Sequence, residues 1–358
     1  MINLLDYNQS QLADLLVAEG FQRFRANQII QWVHQKQVTD VNEMSNLNGA
    51  LKHWLKTQTQ ITPPTVKKTS ESSDGTIKWL LGSPDNEPGH YEMVYIPEKS
   101  RATLCVSSQV GCALACDFCA TGKQGFTRNL TCHEIIGQLW LANQVVEALG
   151  RQRVTNVVFM GMGEPLMNVN PVFKAVELML SDHAYGLSKY RVTISTVGVL
   201  PVMQTKLNKD GPALAVSLHA PNEDLRNRLI PLNKKFSLAE LIQTCFLYNQ
   251  KTNRDVTFEY TMMRGINDQP EHAHQLIRLL KQLKCKINLI PCNPIEESLY
   301  QPSKPNDVAA FQNTLKKAGY QVTVRKTRGD DIDAACGQLA KTFLKTNRSL
   351  VRIETNVG

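Results

Sequence analysis

No run of apolar residues in this chain approaches the roughly 20 that a membrane-spanning helix requires, so insertion into a bilayer is not expected. The amino terminus, MINLLDYNQSQLADLL, has none of the basic start, apolar run and small-residue cleavage site of a secretory signal, and a cytoplasmic protein is expected. Short repeats, low-complexity tracts and long runs of like charge are missing too, so nothing argues for a repeat architecture. Nine cysteines, at positions 105, 112, 116, 119, 132, 245, 285, 292 and 336, form no even framework of the secreted type. A reducing compartment would keep most of them as thiols.

At 358 residues the chain exceeds one average domain, and 42% apolar with 20% charged residues is ordinary for a globular protein. A net charge of +8 suits a polyanionic partner, because Lys and Arg gain affinity by displacing phosphate counterions. It equally suits an enzyme that is merely basic. Apolar positions recur at helical spacing in Leu12, Leu15 and Leu16, then in Ile29, Ile30 and Val33, and Pro63-Pro64 closes that unit. Residues 1–62 are therefore expected to form a small helical accessory domain. Extended runs follow at Thr65 to Thr69, Thr76 to Leu81 and Tyr91 to Ile96, separated by the turn formers SSDG and SPDNEPG. Residues 63–100 thus read as a β extension.

From Thr103 onward, apolar strands alternate with amphipathic helices: TLCVSSQ, VTNVVFMG, YRVTIST, ALAVSLH, VTFEYTM and KINLI. Thr131 with Glu134, and Ser237 with Glu240, make capping boxes at helix starts. The pattern predicts an α/β chain whose main domain, residues 101–345, is a partial (β/α)6 TIM-like barrel, with 346–358 as a tail. In such a fold the loops at the strand carboxyl ends carry the chemistry.

VGCALACDFCATG follows the first of these strands directly and spaces Cys112, Cys116 and Cys119 as C-x3-C-x2-C. Three soft thiolates on one loop can hold three corners of a 4Fe-4S cube and leave the fourth iron open to a small chelating molecule. The alternative is a closed zinc site with a fourth ligand from Cys105, Cys132 or His133, although the spacing departs from paired C-x2-C knuckles. With Phe118 before the last cysteine, the loop resembles the signature of the radical S-adenosylmethionine superfamily. Gly161-Met162-Gly163-Glu164-Pro165, after the second strand, is similar to that superfamily's glycine-rich motif. The resemblance implies S-adenosylmethionine bound by Gly163, Glu164, Ser195, Ser217, Leu218, His219 and Asn293, each at or just after a strand end.

Cys336 sits in RKTRGDDIDAACGQL, where Arg325, Lys326 and Arg328 favour a thiolate and Asp330, Asp331 and Asp333 oppose it. Cys105 lies on the first barrel strand, sharing a face with Thr103 and Ser107. Taken with RATLCVSSQVGCALACDFCATGKQGFTRNL, GMGEPLMN, VSLHAPN and NLIPCNP, these segments resemble the RlmN-type adenine-C2 RNA methyltransferases from about Tyr91 to Ala340. The resemblance implies that Cys336 carries the methyl group as S-methylcysteine. Cys105 then resolves a protein–RNA adduct by forming a transient disulfide with Cys336, and Glu92 accepts the proton. Two S-adenosylmethionine molecules are used per turnover, and the substrates are 23S rRNA at the peptidyl transferase centre and tRNA near the anticodon. An electron donor such as flavodoxin and a monomeric state are expected. The sister activity, methylation at adenine C8, is the nearest rival; GFTRNL and RGDDIDAACGQL side with C2. Two stretches rich in cations, Gly122 to Asn129 and Arg226, Arg228, Lys234 and Lys235, are candidate RNA contacts or plain solvated surface.

Overall fold

The computed structural model describes residues 1–293, 299–335 and 337–339, so Cys336 and the expected tail lie outside the described residues. The chain opens with strand β1 (Ile2–Asn3), followed by α1 (Gln9–Ala18), α2 (Arg25–Ile30) and α3 (Gly49–Gln58). Asn8 and Gln11 form a capping box that starts α1, and Asn48 caps α3 by accepting from the Leu51 amide. Strand β2 (Thr59–Gln60) returns to pair in parallel with β1, tying the two ends of this unit together.

Leu12, Leu16, Ile29 and Leu51 turn inward to a core continuous with that of the rest of the chain. Each leucine so buried contributes roughly 1.5–3 kcal/mol relative to exposure. Polar contacts fix the docking. The Trp140 indole donates to the Val33 carbonyl at 2.8 Å, and the Asn8 amide donates to the Glu177 carboxylate at 2.8 Å.

The β extension is a meander of β3 (Thr65–Glu71), β4 (Ile77–Gly82) and β5 (His90–Pro97), antiparallel throughout. It does not stand apart, because β5 pairs antiparallel with β6 (Ala102–Cys105) and so extends the main sheet. After β6 the chain makes a small hairpin of β7 (Gln109–Gly111) and β8 (Phe126–Asn129), with α4 (Ala120–Gln124) between its arms. Then α5 (Cys132–Ala148), β9 (Asn156–Phe159), α6 (Val169–Leu180), β10 (Val192–Thr196), α7 (Leu200–Lys206), β11 (Ala213–Ser217), α8 (Glu223–Leu229), α9 (Leu238–Thr252), β12 (Val256–Met262), α10 (Pro270–Leu280) and β13 (Cys285–Pro291) alternate strand with helix. Both expected capping boxes are present, at the starts of α5 and α9.

Helix α11 (Pro305–Lys317) leads to β14 (Gln321–Val324), which adds a seventh parallel strand to the expected six. The order β14-β13-β12-β11-β10-β9-β6-β5-β4-β3 makes one ten-stranded sheet, parallel from β14 to β6 and antiparallel beyond. No helix among the described residues is long and apolar enough to cross a membrane.

The β7–β8 hairpin closes the cysteine loop. Gly111 makes this possible: its φ is +72°, and a Cβ there would stand 1.8 Å from the Gly125 carbonyl oxygen. The Cys112 amide donates to that same oxygen at 2.9 Å. Gly111→Ala should therefore lower stability by at least about 1–2 kcal/mol, the cost of the left-handed backbone alone. The check is a urea titration, in which an unchanged midpoint would contradict the tight closure.

Candidate active site

The carboxyl ends of the parallel strands open into one cavity of about 970 Å³, including its mouth. Cys112, Cys116 and Cys119 line one side, presented by the loop that β7 and β8 close. Burial pushes the Cys112 thiol up to about 11, and burial with the neighbouring Cys119 and Cys112 sulfurs pushes Cys116 well above the ordinary thiol value too. Without a compensating cation the loop thus holds at least two protonated thiols. Bound iron would supply that compensation and displace the protons.

Beside the cysteines runs the glycine-rich turn after β9, whose Glu164 backbone amide contacts the Cys112 sulfur. A Cβ on Gly161 would meet Ser107 Oγ and the Val106 carbonyl at 2.7 Å, and Gly163, at φ +94°, lies against the Gln109 side chain. The turn therefore packs directly on the strand that leads to the cysteine loop. Gln109 Oε1 accepts from the Glu164 amide at 2.9 Å, which orients the following carboxylate. That carboxylate accepts from the Leu166 and Val197 amides, each at 3.0 Å. Burial raises the Glu164 carboxyl to about 7, against the downward pull of those backbone donors. A buried carboxylate aimed into a cavity is a receptor for an ammonium group.

Ser195, next to last on β10, and Ser217, the last residue of β11, line the cavity, as do His219 and Asn293. His219 has a left-handed backbone, φ 55°. Its Nδ1 accepts from the Thr261 amide at 3.0 Å, and burial, assisted by the Arg226 charge, pushes its pKa down to about 3. The neutral ring therefore carries its proton on Nε2. Phe118 meets it edge to face, with centroids 4.8 Å apart.

The cavity thus collects every expected cluster ligand and every expected cofactor-binding residue except Leu218. Leu218 is fully buried and acts through its backbone, donating to the Glu259 carbonyl and accepting from the Arg226 guanidinium. Glu92 and Cys105 are not among the lining residues and belong instead to a neighbouring sheet face. Cys336 is outside the described residues, but the next residue, Gly337, lines the cavity.

Two expectations about cations change. Arg226, read as a possible RNA contact, is 1% exposed. Its guanidinium donates to the carbonyls of Val197, Ser217 and Leu218 and to Asn233 Oδ1, clamping the loops after β10 and β11. Arg128 is likewise committed, to a bidentate pair with Glu134 at 2.7 and 2.8 Å. The cations found at the cavity edge are Arg325 and, in an adjoining recess of about 310 Å³, Lys326 and Arg328. Glu259 was missed altogether. It lies beside Ser217 in the register of β11 and β12, lines the cavity, and accepts from the Asn288 amide at 2.8 Å.

Residues 2–61 match the family model of the ribosomal RNA large subunit methyltransferase N-terminal domain, and 106–277 match that of the radical SAM superfamily. The chain is 51% identical, over 99% of its length and 97% of the relative's, to the dual-specificity RNA methyltransferase RlmN of Marinomonas sp. (strain MWYL1). The chain belongs to the RlmN family. Its fold superposes on the crystal structure of a radical SAM methyltransferase from Sphaerobacter thermophilus with a TM-score of 0.88, at 39% identity, covering 95% of this chain and all of that one. RlmN-family enzymes of the radical SAM type use a 4Fe-4S cluster and S-adenosylmethionine.

The residues present fit both groups. Three thiols and a buried carboxylate face one cavity, and a 4Fe-4S cube offers three separate iron corners to three thiolates. The residues that a closed zinc site would borrow lie elsewhere. The Cys132 thiol donates toward the Leu5 carbonyl, His133 sits between Asp6 and Asp85, and Cys105 is not at the cavity wall. Among the described residues, no three His, Cys, Asp or Glu side chains close on a single-ion geometry.

The Glu164 carboxyl supplies a pH test on protein free of metal and cofactor. Because its folded pKa is raised from 4.5 to about 7, the folded chain keeps a proton that the unfolded chain has lost across that window. Stability therefore falls as pH rises through it. The unfolding free energy of Glu164→Gln relative to wild type should shift in the variant's favour between those two values, read by urea titration. A pH-independent difference would contradict the assignment.

Proposed function

We propose that this chain methylates C2 of an adenine in 23S rRNA at the peptidyl transferase centre, and C2 of an adenine next to the anticodon in tRNA, through a methyl group carried on Cys336. The observation that carries this reading is the docking of the Cys336 segment at the cysteine loop. The Ala120 amide, next to Cys119, donates to the Gly337 carbonyl at 2.9 Å, and Thr121 Oγ1 donates to the Leu339 carbonyl at 3.2 Å. Gly337, which follows Cys336 in sequence, thus lines the same cavity as the cluster ligands, and this supports the reading.

Bound there, the cluster and S-adenosylmethionine supply one-electron chemistry and the methyl group. Cys112, Cys116 and Cys119 would hold the cluster; Gly163, Glu164, Ser195, Ser217, Leu218, His219 and Asn293 would hold the S-adenosylmethionine. Cys336 Sγ would accept the methyl group, with the demethylated cofactor as the leaving group, and would carry it until the carbon, having given up one hydrogen atom, bonds to adenine C2. Glu92 accepts the C2 proton, and the Cys105 thiolate bonds to the Cys336 sulfur as the carbon–sulfur bond breaks; the released carbon keeps that electron pair and takes up a proton to become the product methyl group. The Cys105–Cys336 disulfide is then reduced to two thiols by an external two-electron donor before the next turnover. A protein such as flavodoxin fits the reductant for the cluster. Electron-poor C2 is unreactive toward a plain methyl donor, which gives the two-cysteine route its purpose. Arg325, Lys326 and Arg328 at the cavity edge suit the phosphates on either side of the extruded base.

Cys105→Ala separates bond formation from release. The variant should accumulate an RNA–protein adduct that survives denaturing electrophoresis and should yield little free methylated RNA. Cys336→Ala should give neither adduct nor product. Free product from Cys105→Ala at the wild-type rate would contradict the roles given to the two cysteines.

A further inference from the structure

The sheet face formed by β4, β5 and β6 carries a lysine that the mechanism above leaves unused. In the antiparallel register Lys78 stands opposite Val94, and Val94 stands opposite Cys105. Directly opposed residues share a face, and so do residues two apart on one strand. Lys78, Glu92 and Cys105 therefore project on the same side of the sheet. Lys78 is 4% exposed and Glu92 is 1% exposed. Lys78 Nζ lies 3.3 Å from Glu92 Oε1 and donates to the Asp333 carbonyl at 3.0 Å. One buried ammonium thus touches both the proposed proton acceptor and the turn that leads, three residues on, to Cys336.

That turn is fixed at further points. The Gly329 amide donates to Asp74 Oδ2 at 3.2 Å, Asp331 Oδ2 accepts from the Ser73 amide at 3.3 Å, and a Cβ on Gly329 would collide with Thr76. The β3–β4 turn and the start of β4 form its bed. Only Lys78 within that bed also reaches Glu92, among the contacts described. A buried charge pair contributes little net stability, because desolvation offsets most of its attraction. Its value lies in fixing charge and position.

We propose that Lys78 is a positioning residue for product release: it holds Glu92 as a fixed carboxylate and ties it to the Cys336-bearing turn, so that the proton acceptor and the methyl-carrying sulfur stay in register while the adduct is resolved. The inference rests on the methyl-transfer reading above. It predicts a defect confined to the step after carbon–carbon bond formation. Loading of Cys336, which takes place on the cofactor side of the cavity, does not involve Lys78.

The experiment compares Lys78→Met, Glu92→Gln and the double variant with wild type, all with reconstituted cluster. Methylation of Cys336 is read by peptide mass spectrometry before RNA is added, and adduct and free product are then followed with an rRNA fragment. Lys78→Met should load Cys336 as wild type does, accumulate adduct, and release product about 10- to 100-fold more slowly, as expected for a misplaced catalytic group. In the double variant release should be no slower than in Glu92→Gln, since Lys78 acts through Glu92.

Wild-type release by Lys78→Met overturns the proposal, and so does a double variant more than about threefold slower than Glu92→Gln. Should removal of the buried Lys78 charge keep Lys78→Met from folding, the double variant, which has neither charge, still decides against Glu92→Gln. Failure of the underlying reading would appear separately, as wild-type protein without a methyl group on Cys336.

Discussion

Parallel strands in continuous register end on one edge, and the cavity that gathers the cysteine loop depends on that constraint. From β6 to β13 each strand is hydrogen-bonded to the next in the same direction, so every loop that follows a strand must emerge beside its neighbours. The cysteine loop after β6, the glycine-rich turn after β9 and the polar ends of β10 and β11 are far apart in sequence yet open into a single cavity. Arg226 reinforces the arrangement from below, spending its buried guanidinium on the carbonyls of Val197, Ser217 and Leu218. Burial pulls its pKa down to about 10, still far above neutrality, so the clamp remains charged.

The second half of the site is built by a different rule. Where the sheet turns antiparallel, cross-strand pairing sets neighbours, and it puts Lys78, Glu92 and Cys105 on one face. The segment before Cys336 lies over that face through Asp333, and the segment after it lies against the cluster loop through Gly337. One stretch of chain therefore touches both halves. On the proposed mechanism this is what a methyl carrier requires: loading beside the cofactor, and resolution beside Cys105 and Glu92.

Much of the first half was legible in the sequence, because ligand spacing on a loop and turn chemistry after a strand are local properties. C-x3-C-x2-C and Gly161-Met162-Gly163-Glu164 announce themselves within a few residues, and so do the capping boxes at Thr131 and Ser237. Arg226 and Arg128 were misread for the complementary reason. Sequence records a charge but not its direction, and here one arginine turns inward to carbonyls and the other to Glu134. Lys78 and Glu259 were invisible because their meaning depends on register between strands. β14 escaped notice because it is four residues long, lies at the sheet edge and buries only Val322.

The family assignment and the fold leave the position of the methyl group on the base as the central chemical claim. The direct measurement is mass spectrometry of nucleosides from 23S rRNA and tRNA, taken from cells that lack the resident family enzyme and express this chain. The account predicts 2-methyladenosine in both RNAs, lost when Cys336 is replaced by alanine. Appearance of 8-methyladenosine in its place would contradict it.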